Sequence, residues 1–131
     1  MNKIRIAVID DIRDILELLE YNLNKEGMDV DIYTDSSVAL TEIVKNKPDL
    51  VISDWMMPGH DGLEVCRQLR ANKITKNIPL LMLTCKSGLL DYREARQAGA
   101  HDYVVKPVRM EELIRRIKLL LPIEKLTKRL I

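Results

Sequence analysis

Four short stretches of the sequence end an apolar run in a residue that could do chemistry. IRIAVI is followed by Asp10 and Asp11, LVIS by Asp54, PLLML by Thr84, and DYVV by Lys106. Three carboxylates brought together repel, and at least one is pushed towards protonation unless something compensates. A hard divalent cation resolves that conflict; Mg²⁺ takes oxygen ligands and usually only one or two carboxylates alongside waters and phosphate oxygens. A hydroxyl and an ammonium on the far side would suit a phosphoryl group, with its two negative charges and acceptor oxygens. Asp54, between the two groups, is the best-placed nucleophile. Carboxylate attack on phosphorus gives an aspartyl phosphate, a transfer in which the protein mainly positions groups and neutralises charge.

Each residue alone has a plainer reading. An aspartate after a strand commonly caps a helix, and Asp11 could cap the first helix in that way. Thr84 alone is a strand residue and Lys106 alone a solvated charge. The chemistry depends on whether the chain brings them to one place.

The elements that must do so follow from periodicity. Ile4 to Ile9 and Leu50 to Ser53 are short apolar runs, as expected of strands covered on both faces. Pro79 to Thr84 and Asp102 to Val105 supply two more strands. Asp29 to Tyr33 alternates polar and apolar, which suits an edge strand. Between them lie five helical patterns. Ile12 to Glu26 has its stripe at Ile12, Leu16, Leu19 and Leu23, and Gly27 supplies a stop. Ser36 to Asn46 has Ser36 as its cap and Lys47-Pro48 at its end. Asp61 opens a helix through Ala71, with Glu64 in the capping-box position. Leu89 to Ala98 is closed by Gly99, and Met110 to Leu121 by Pro122.

Strands alternating with helices predict an α/β fold with a parallel sheet covered on both sides. Right-handed crossovers leave few topologies at this length. The five-stranded flavodoxin-like doubly wound version has order 2-1-3-4-5, with its crevice outside the carboxyl ends of strands 1 and 3. Those ends carry Asp10, Asp11 and Asp54, with Thr84 and Lys106 beside them.

Composition sets the class. The 131 residues are 47% hydrophobic and 31% charged, an ordinary globular balance for one domain. Twenty-one basic and 20 acidic side chains nearly cancel, which gives no general hint of nucleic acid or membrane binding. Residues 109–131 hold seven Lys/Arg against three Glu, leaving the remainder net acidic by three. Cys66 and Cys85 lack metal-ligand spacing and read as two reduced, buried thiols. No signal peptide or membrane-spanning run is evident, so a cytoplasmic location is expected.

With these residues in order, VIDD, VISDWMMPGHDG, LMLT and AGAHDYVVKP together resemble the receiver domain of two-component response regulators. The likeness runs from about Lys3 to Leu121. It implies that Asp54 accepts a phosphoryl group from a sensor histidine kinase or a histidine phosphotransfer protein. Asp11 and Asp54 would bind Mg²⁺ directly, with the Met56 backbone carbonyl, and Asp10 would act mainly through a metal-bound water. Thr84 and Lys106 would hold phosphoryl oxygens, and the Lys106-Pro107 bond would be cis. Thr84 and Tyr103 would form the switch, although Tyr103 also reads as a core tyrosine with a satisfied hydroxyl. Such a domain is a phosphoacceptor with intrinsic self-phosphorylation and autodephosphorylation chemistry, not an enzyme in the usual sense. Cys85 and Val108 depart from the usual small residue and phenylalanine, and Cys85, Met56 and Lys86 leave the lifetime of the phosphorylated state open.

The same resemblance implies partner surfaces. Leu18 and Tyr21 lie opposite the core stripe of the first helix, and Ile15 and Leu18 are candidates for docking the phosphodonor. The face of helix 4, strand 5 and helix 5, where Leu119 stands off the stripe, would serve output contacts or a homodimer. His60 and His101 read as surface residues. Residues 1–121 would form the receiver. Residues 122–131 (PIEKLTKRLI) would be a short basic tail or the start of a linker to an output domain, with too little charge to bind nucleic acid.

Two rivals fit poorly. A haloacid-dehalogenase-type phosphatase needs DxDx[TV] after strand 1, where Asp10-Asp11-Ile12-Arg13 stands. A flavin carrier needs a Ser/Thr/Gly-rich phosphate loop there, and adjacent carboxylates would repel phosphate.

Overall fold

Strands buried on both faces must be apolar at successive positions, and this rule builds the sheet. In a computed structural model of the chain, residues 3–122 and Leu126 are described. Five strands, β1 (Arg5–Ile9), β2 (Asp29–Tyr33), β3 (Leu50–Ser53), β4 (Leu80–Thr84) and β5 (Asp102–Val105), alternate with five helices. The helices are α1 (Arg13–Lys25), α2 (Ser36–Asn46), α3 (Gly62–Ala71), α4 (Leu89–Ala98) and α5 (Met110–Leu120). The sheet is parallel throughout, in the order β2-β1-β3-β4-β5. This is the flavodoxin-like doubly wound fold expected from the alternation. The alternating strand, β2, is an edge, and every residue of β3 and β4 is buried.

The sheet divides the interior in two. Ala7 and Ile9 face a cluster with Ala39 and Ile43 of α2, Cys66 and Leu69 of α3, and Ala95 of α4. Ile6 and Val8 face the other side, with Leu16, Leu19 and Leu23 of α1 and Leu113 and Ile117 of α5. Each fully buried Leu or Ile contributes roughly 1.5–3 kcal/mol of hydrophobic stabilisation.

Helix starts differ from the sequence expectation in two places. α1 begins at Arg13; Ile12 occupies the cap position, 49% exposed, and offers no side-chain cap. Asp11 is therefore not the cap, and the Ile12 N–H donates instead to Asp10 Oδ1 at 2.9 Å. α2 is capped by Asp35, whose carboxylate accepts from the Ser37 and Val38 amides, while Ser36 is buried inside the first turn. A carboxylate is the better acceptor beside a positive helix terminus. Asp61 caps α3 as expected, accepting from the Glu64 N–H at 2.9 Å. Cys66 is buried, but Cys85 is exposed, because it stands one residue past the end of β4. Among the described residues, no helix is long and apolar enough to cross a membrane. Apart from Pro122 and Leu126, the expected tail lies outside the described residues.

Candidate functional site

Parallel pairing of β1 with β3 aligns Ile9 with Ser53, so the next residues on each strand, Asp10 and Asp54, emerge side by side. The backbone fixes both: the Asp54 N–H donates to the Ile9 carbonyl at 3.0 Å, and the Asp10 N–H to the Tyr33 carbonyl at 3.1 Å. Asp10 is 2% exposed and Asp54 8%, whereas Asp11 is open to solvent. Asp10, Asp11 and Asp54 each offer an oxygen within 4.8 Å of the others.

Lys106 reaches this group from the end of β5. Its backbone N–H donates to the Thr84 carbonyl at 2.8 Å, and the Lys106-Pro107 peptide is cis. Its Nζ lies 2.9 Å from Asp10 Oδ2 and 3.4 Å from Asp54 Oδ2. Burial alone would lower the lysine pKa, but the hydrogen bond and charge of Asp10, with Asp54, more than offset it and raise it. The ammonium is therefore firmly charged. Three carboxylates and one ammonium leave a formal −2. The donors are all hard oxygens, the set a small divalent cation prefers.

Thr84 is buried beside them, its Oγ accepting from the Lys86 N–H at 3.4 Å. Thr84, Lys106, Asp10, Asp11 and Asp54 are thus collected at one sheet edge. Met56, two residues beyond Asp54, turns its side chain to solvent while Trp55 and Met57 are buried. Asp54 Oδ1 also accepts from the Trp55 N–H at 2.7 Å, leaving Oδ2 towards Lys106.

Tyr103 is 8% exposed and points inward. Its hydroxyl donates to the Lys86 carbonyl at 2.6 Å, and its ring meets Trp55 and Tyr92 edge to face at 6.2 and 5.9 Å. Burial, with the charge of Asp91, pushes its pKa up to about 12, so the hydroxyl remains a donor. The ring is packed and its hydroxyl satisfied, as in a core tyrosine, and it adjoins the loop that follows Asp54.

Two contributors had no clear sequence signal. A Cβ on Gly62 would stand 2.3 Å from the Asp54 carbonyl oxygen and 2.8 Å from Trp55 Cα. Helix α3 therefore packs directly on the backbone of Asp54 and Trp55, and the Gly62 N–H donates to the Trp55 carbonyl at 2.8 Å. The Lys86 Nζ lies over the Trp55 ring, 4.3 Å from its centroid. Spacing indicates neither contact, since each arises only when separate loops meet.

The remaining candidates lie elsewhere. On α1, Leu18 and Tyr21 are 56% and 62% exposed, whereas Ile15 is half-buried against the second core cluster. Ile15 is thus largely committed to packing, and Leu18 with Tyr21 makes the exposed pair. His101 is more engaged than a plain surface residue: Nδ1 accepts from the Leu80 N–H at 3.2 Å and faces an Arg70 guanidinium nitrogen at 3.0 Å. Leu89, Leu90, Val105 and Leu119 are exposed on α4, β5 and α5.

Comparison with known proteins agrees with this geometry. The chain is similar to the Vibrio cholerae chemotaxis protein CheY4, at 28% identity over 91% of this chain and 99% of that one, with a TM-score of 0.87. It is also similar to a response regulator receiver domain protein from Clostridium thermocellum, at 30% identity over 95% of this chain and 98% of that one, TM-score 0.84. The BeF3-activated N-terminal receiver domain of Klebsiella pneumoniae RstA matches at 31% identity over 88% of this chain and 96% of that one, TM-score 0.80. Residues 6–118 match the response regulator receiver domain family. With the acidic group, the lysine and the strand order in agreement, the chain belongs to the response regulator receiver domains of two-component signal transduction.

Proposed function

We propose that Asp54 is the phosphoacceptor of a phosphorylation-dependent switch, taking its phosphoryl group from a sensor histidine kinase or a histidine phosphotransfer protein. The observation that carries this reading is Asp54 Oδ2, nearly buried, 3.4 Å from Lys106 and grouped with Asp10 and Asp11. In the transfer, the Asp54 carboxylate attacks phosphorus, the P–N bond to the donor imidazole breaks, and imidazole leaves with the bonding pair. Bound Mg²⁺, held by Asp11, Asp54 and the Met56 carbonyl and by Asp10 through water, would supply neutralising charge. Lys106 stays charged and pairs with a phosphoryl oxygen, and the Thr84 hydroxyl donates to another. Water later attacks phosphorus, releasing inorganic phosphate and restoring the carboxylate. The same chemistry lets the chain phosphorylate itself from a small acyl phosphate.

Output follows from the packing around Tyr103, which joins the acceptor loop to the face of α4, β5 and α5. Leu89, Leu90, Val105 and Leu119 give that face the apolar character of a contact for a partner or a second copy. The donor docks on α1 at Leu18, with Ile15 as its half-buried support. The setting is the cytoplasm, with residues 1–121 as the receiver and residues 122–131 as tail or linker.

Trp55 tests the site directly, because it adjoins Asp54 in the chain. Mg²⁺ followed by beryllofluoride or acetyl phosphate should change its fluorescence, and Asp54→Asn should abolish stable phosphorylation. No fluorescence response together with unchanged phosphorylation in Asp54→Asn would refute the site. Leu18→Asp should slow transfer from the protein donor while leaving acetyl phosphate labelling intact; equal loss with both donors would exclude a docking role.

A further inference from the structure

Lys86 makes four separate contacts around the candidate site, and each reaches a different part of it. Its N–H donates to Thr84 Oγ at 3.4 Å. Its carbonyl accepts from the Tyr103 hydroxyl at 2.6 Å. Its Nζ lies 4.3 Å from the centroid of the Trp55 ring and 3.8 Å from Asp91 Oδ1 in the first turn of α4. Asp91 in turn accepts the Gly88 N–H through Oδ2 at 3.3 Å, fastening the start of α4 to the same loop. The Lys86 side chain is about two-thirds covered, at 32% exposure, so its contact with the ring is partly shielded from water.

The rest of this segment is thinly held. Ala95 is the sole buried residue of α4, and Leu89 and Leu90 are 68% and 77% exposed. Gly88 has no side chain with which to cap the helix. With so little apolar burial, the conformation of the loop between β4 and α4 rests on its few polar and ring contacts. Lys86 takes part in the contacts that tie this loop to Thr84, Tyr103, Trp55 and α4, and its ring partner directly follows the acceptor in sequence.

We propose that Lys86 is a positioning residue: its ammonium, stacked on Trp55 and paired with Asp91, holds the β4–α4 loop in the arrangement that keeps Tyr103 inward before Asp54 is phosphorylated. The inference rests on Asp54 being the phosphoacceptor and concerns how that site is regulated. A loop already biased to its binding arrangement lowers the cost of binding a phosphoryl-like anion, since apparent affinity scales with the competent fraction. Removing the ammonium releases the loop, and Tyr103 loses the carbonyl that holds its hydroxyl.

The test is a Trp55 fluorescence titration of the whole chain with beryllofluoride at saturating Mg²⁺, preceded by a titration with Mg²⁺ alone. Lys86→Met should weaken beryllofluoride about threefold to tenfold, the range expected for loss of a partly shielded cation–π contact. Its Mg²⁺ affinity should be unchanged, because the carboxylates are untouched. Lys86→Arg should restore binding, since a guanidinium also stacks on indole. Tyr103→Phe should weaken beryllofluoride as well, and the double variant Lys86→Met/Tyr103→Phe should be no weaker than the worse single variant. Equal affinity in wild type and Lys86→Met would overturn the role. Fully additive losses would also overturn it, because they would mean that the ammonium simply attracts the anion. If the wild type itself bound no beryllofluoride, the phosphoacceptor reading would fail first and take this inference with it.

Discussion

The ammonium of Lys106 sits 2.9 Å from a carboxylate oxygen of Asp10, although 96 positions separate them in the chain. The pair is close to buried, with side-chain exposures of 14% and 3%, and it is what makes a crowd of three acids tolerable. Lys106→Met would leave those acids without the cation beside them. Loss of a charge-assisted hydrogen bond, worth about 1.5–3 kcal/mol, should slow acetyl phosphate labelling of Asp54 about tenfold to a hundredfold. The wild-type pair also gives a pH dependence of known sign. A raised lysine pKa contributes stability below its ordinary value of 10.5 that is lost as pH rises through the raised value. Alkaline denaturation should therefore lose a component in the variant.

Asp11 has the opposite balance. It is exposed, yet one of its oxygens stands within 4.8 Å of those of Asp10 and Asp54. Asp11→Asn relieves repulsion and should raise stability in metal-free buffer by about 0.5–1 kcal/mol, a modest figure because water screens the group. Mg²⁺ should raise the melting temperature of the wild type by mass action, and the same change should abolish that rise. Calorimetry with and without Mg²⁺ checks both halves.

Gly62→Ala should be severe for so small a change. The new methyl would meet the Asp54 carbonyl oxygen at 2.3 Å and Met82 Sδ at 2.9 Å, and the backbone partner cannot swing aside. Overpacking of this kind costs about 1–3 kcal/mol. Because the displaced atoms belong to the backbone of Asp54 and Trp55, the yield of phosphorylated Asp54 should fall even where the variant is folded by circular dichroism.

His101 predicts an acid effect away from the site. Burial, then the charges of Arg70 and Arg96, lower its pKa, and both donors at Nδ1 require an unprotonated nitrogen. The folded state therefore resists a proton that the unfolded state accepts. This contribution is complete above the ordinary imidazole value of 6.5 and is lost as pH falls from there towards the lowered folded value. Urea unfolding of His101→Gln should show a shallower loss between about pH 7 and pH 5 than the wild type. Parallel curves for the two proteins would exclude the effect.

The strands and the site are legible in the sequence for one shared reason. Parallel strands announce themselves as apolar runs, and a residue just past such a run must stand at the carboxyl edge. Asp10, Asp54, Thr84 and Lys106 can thus be assembled without coordinates once the order 2-1-3-4-5 is inferred. Helix starts are harder, because a cap depends on one backbone turn. Asp35 rather than Ser36, and the absence of any side-chain cap at Ile12, follow from local dihedral angles that composition does not encode. Cys85 departs from its expected burial because the strand ends one residue before it. Lys86 over Trp55 and Gly62 against Asp54 join separate segments of the chain, so neighbouring sequence carries no trace of either contact.

The sheet that separates two apolar clusters also has a historical consequence. Ala7 and Ile9 answer to α2, α3 and α4, while Ile6 and Val8 answer to α1 and α5, so a substitution on one side is compensated by neighbours on that same side. Descendants of such a chain can repack the α2, α3 and α4 side and the α1 and α5 side at different tempos. The strand-end carboxylates, hung from main-chain ladders rather than from either cluster, stay in place while the packing on each side diverges.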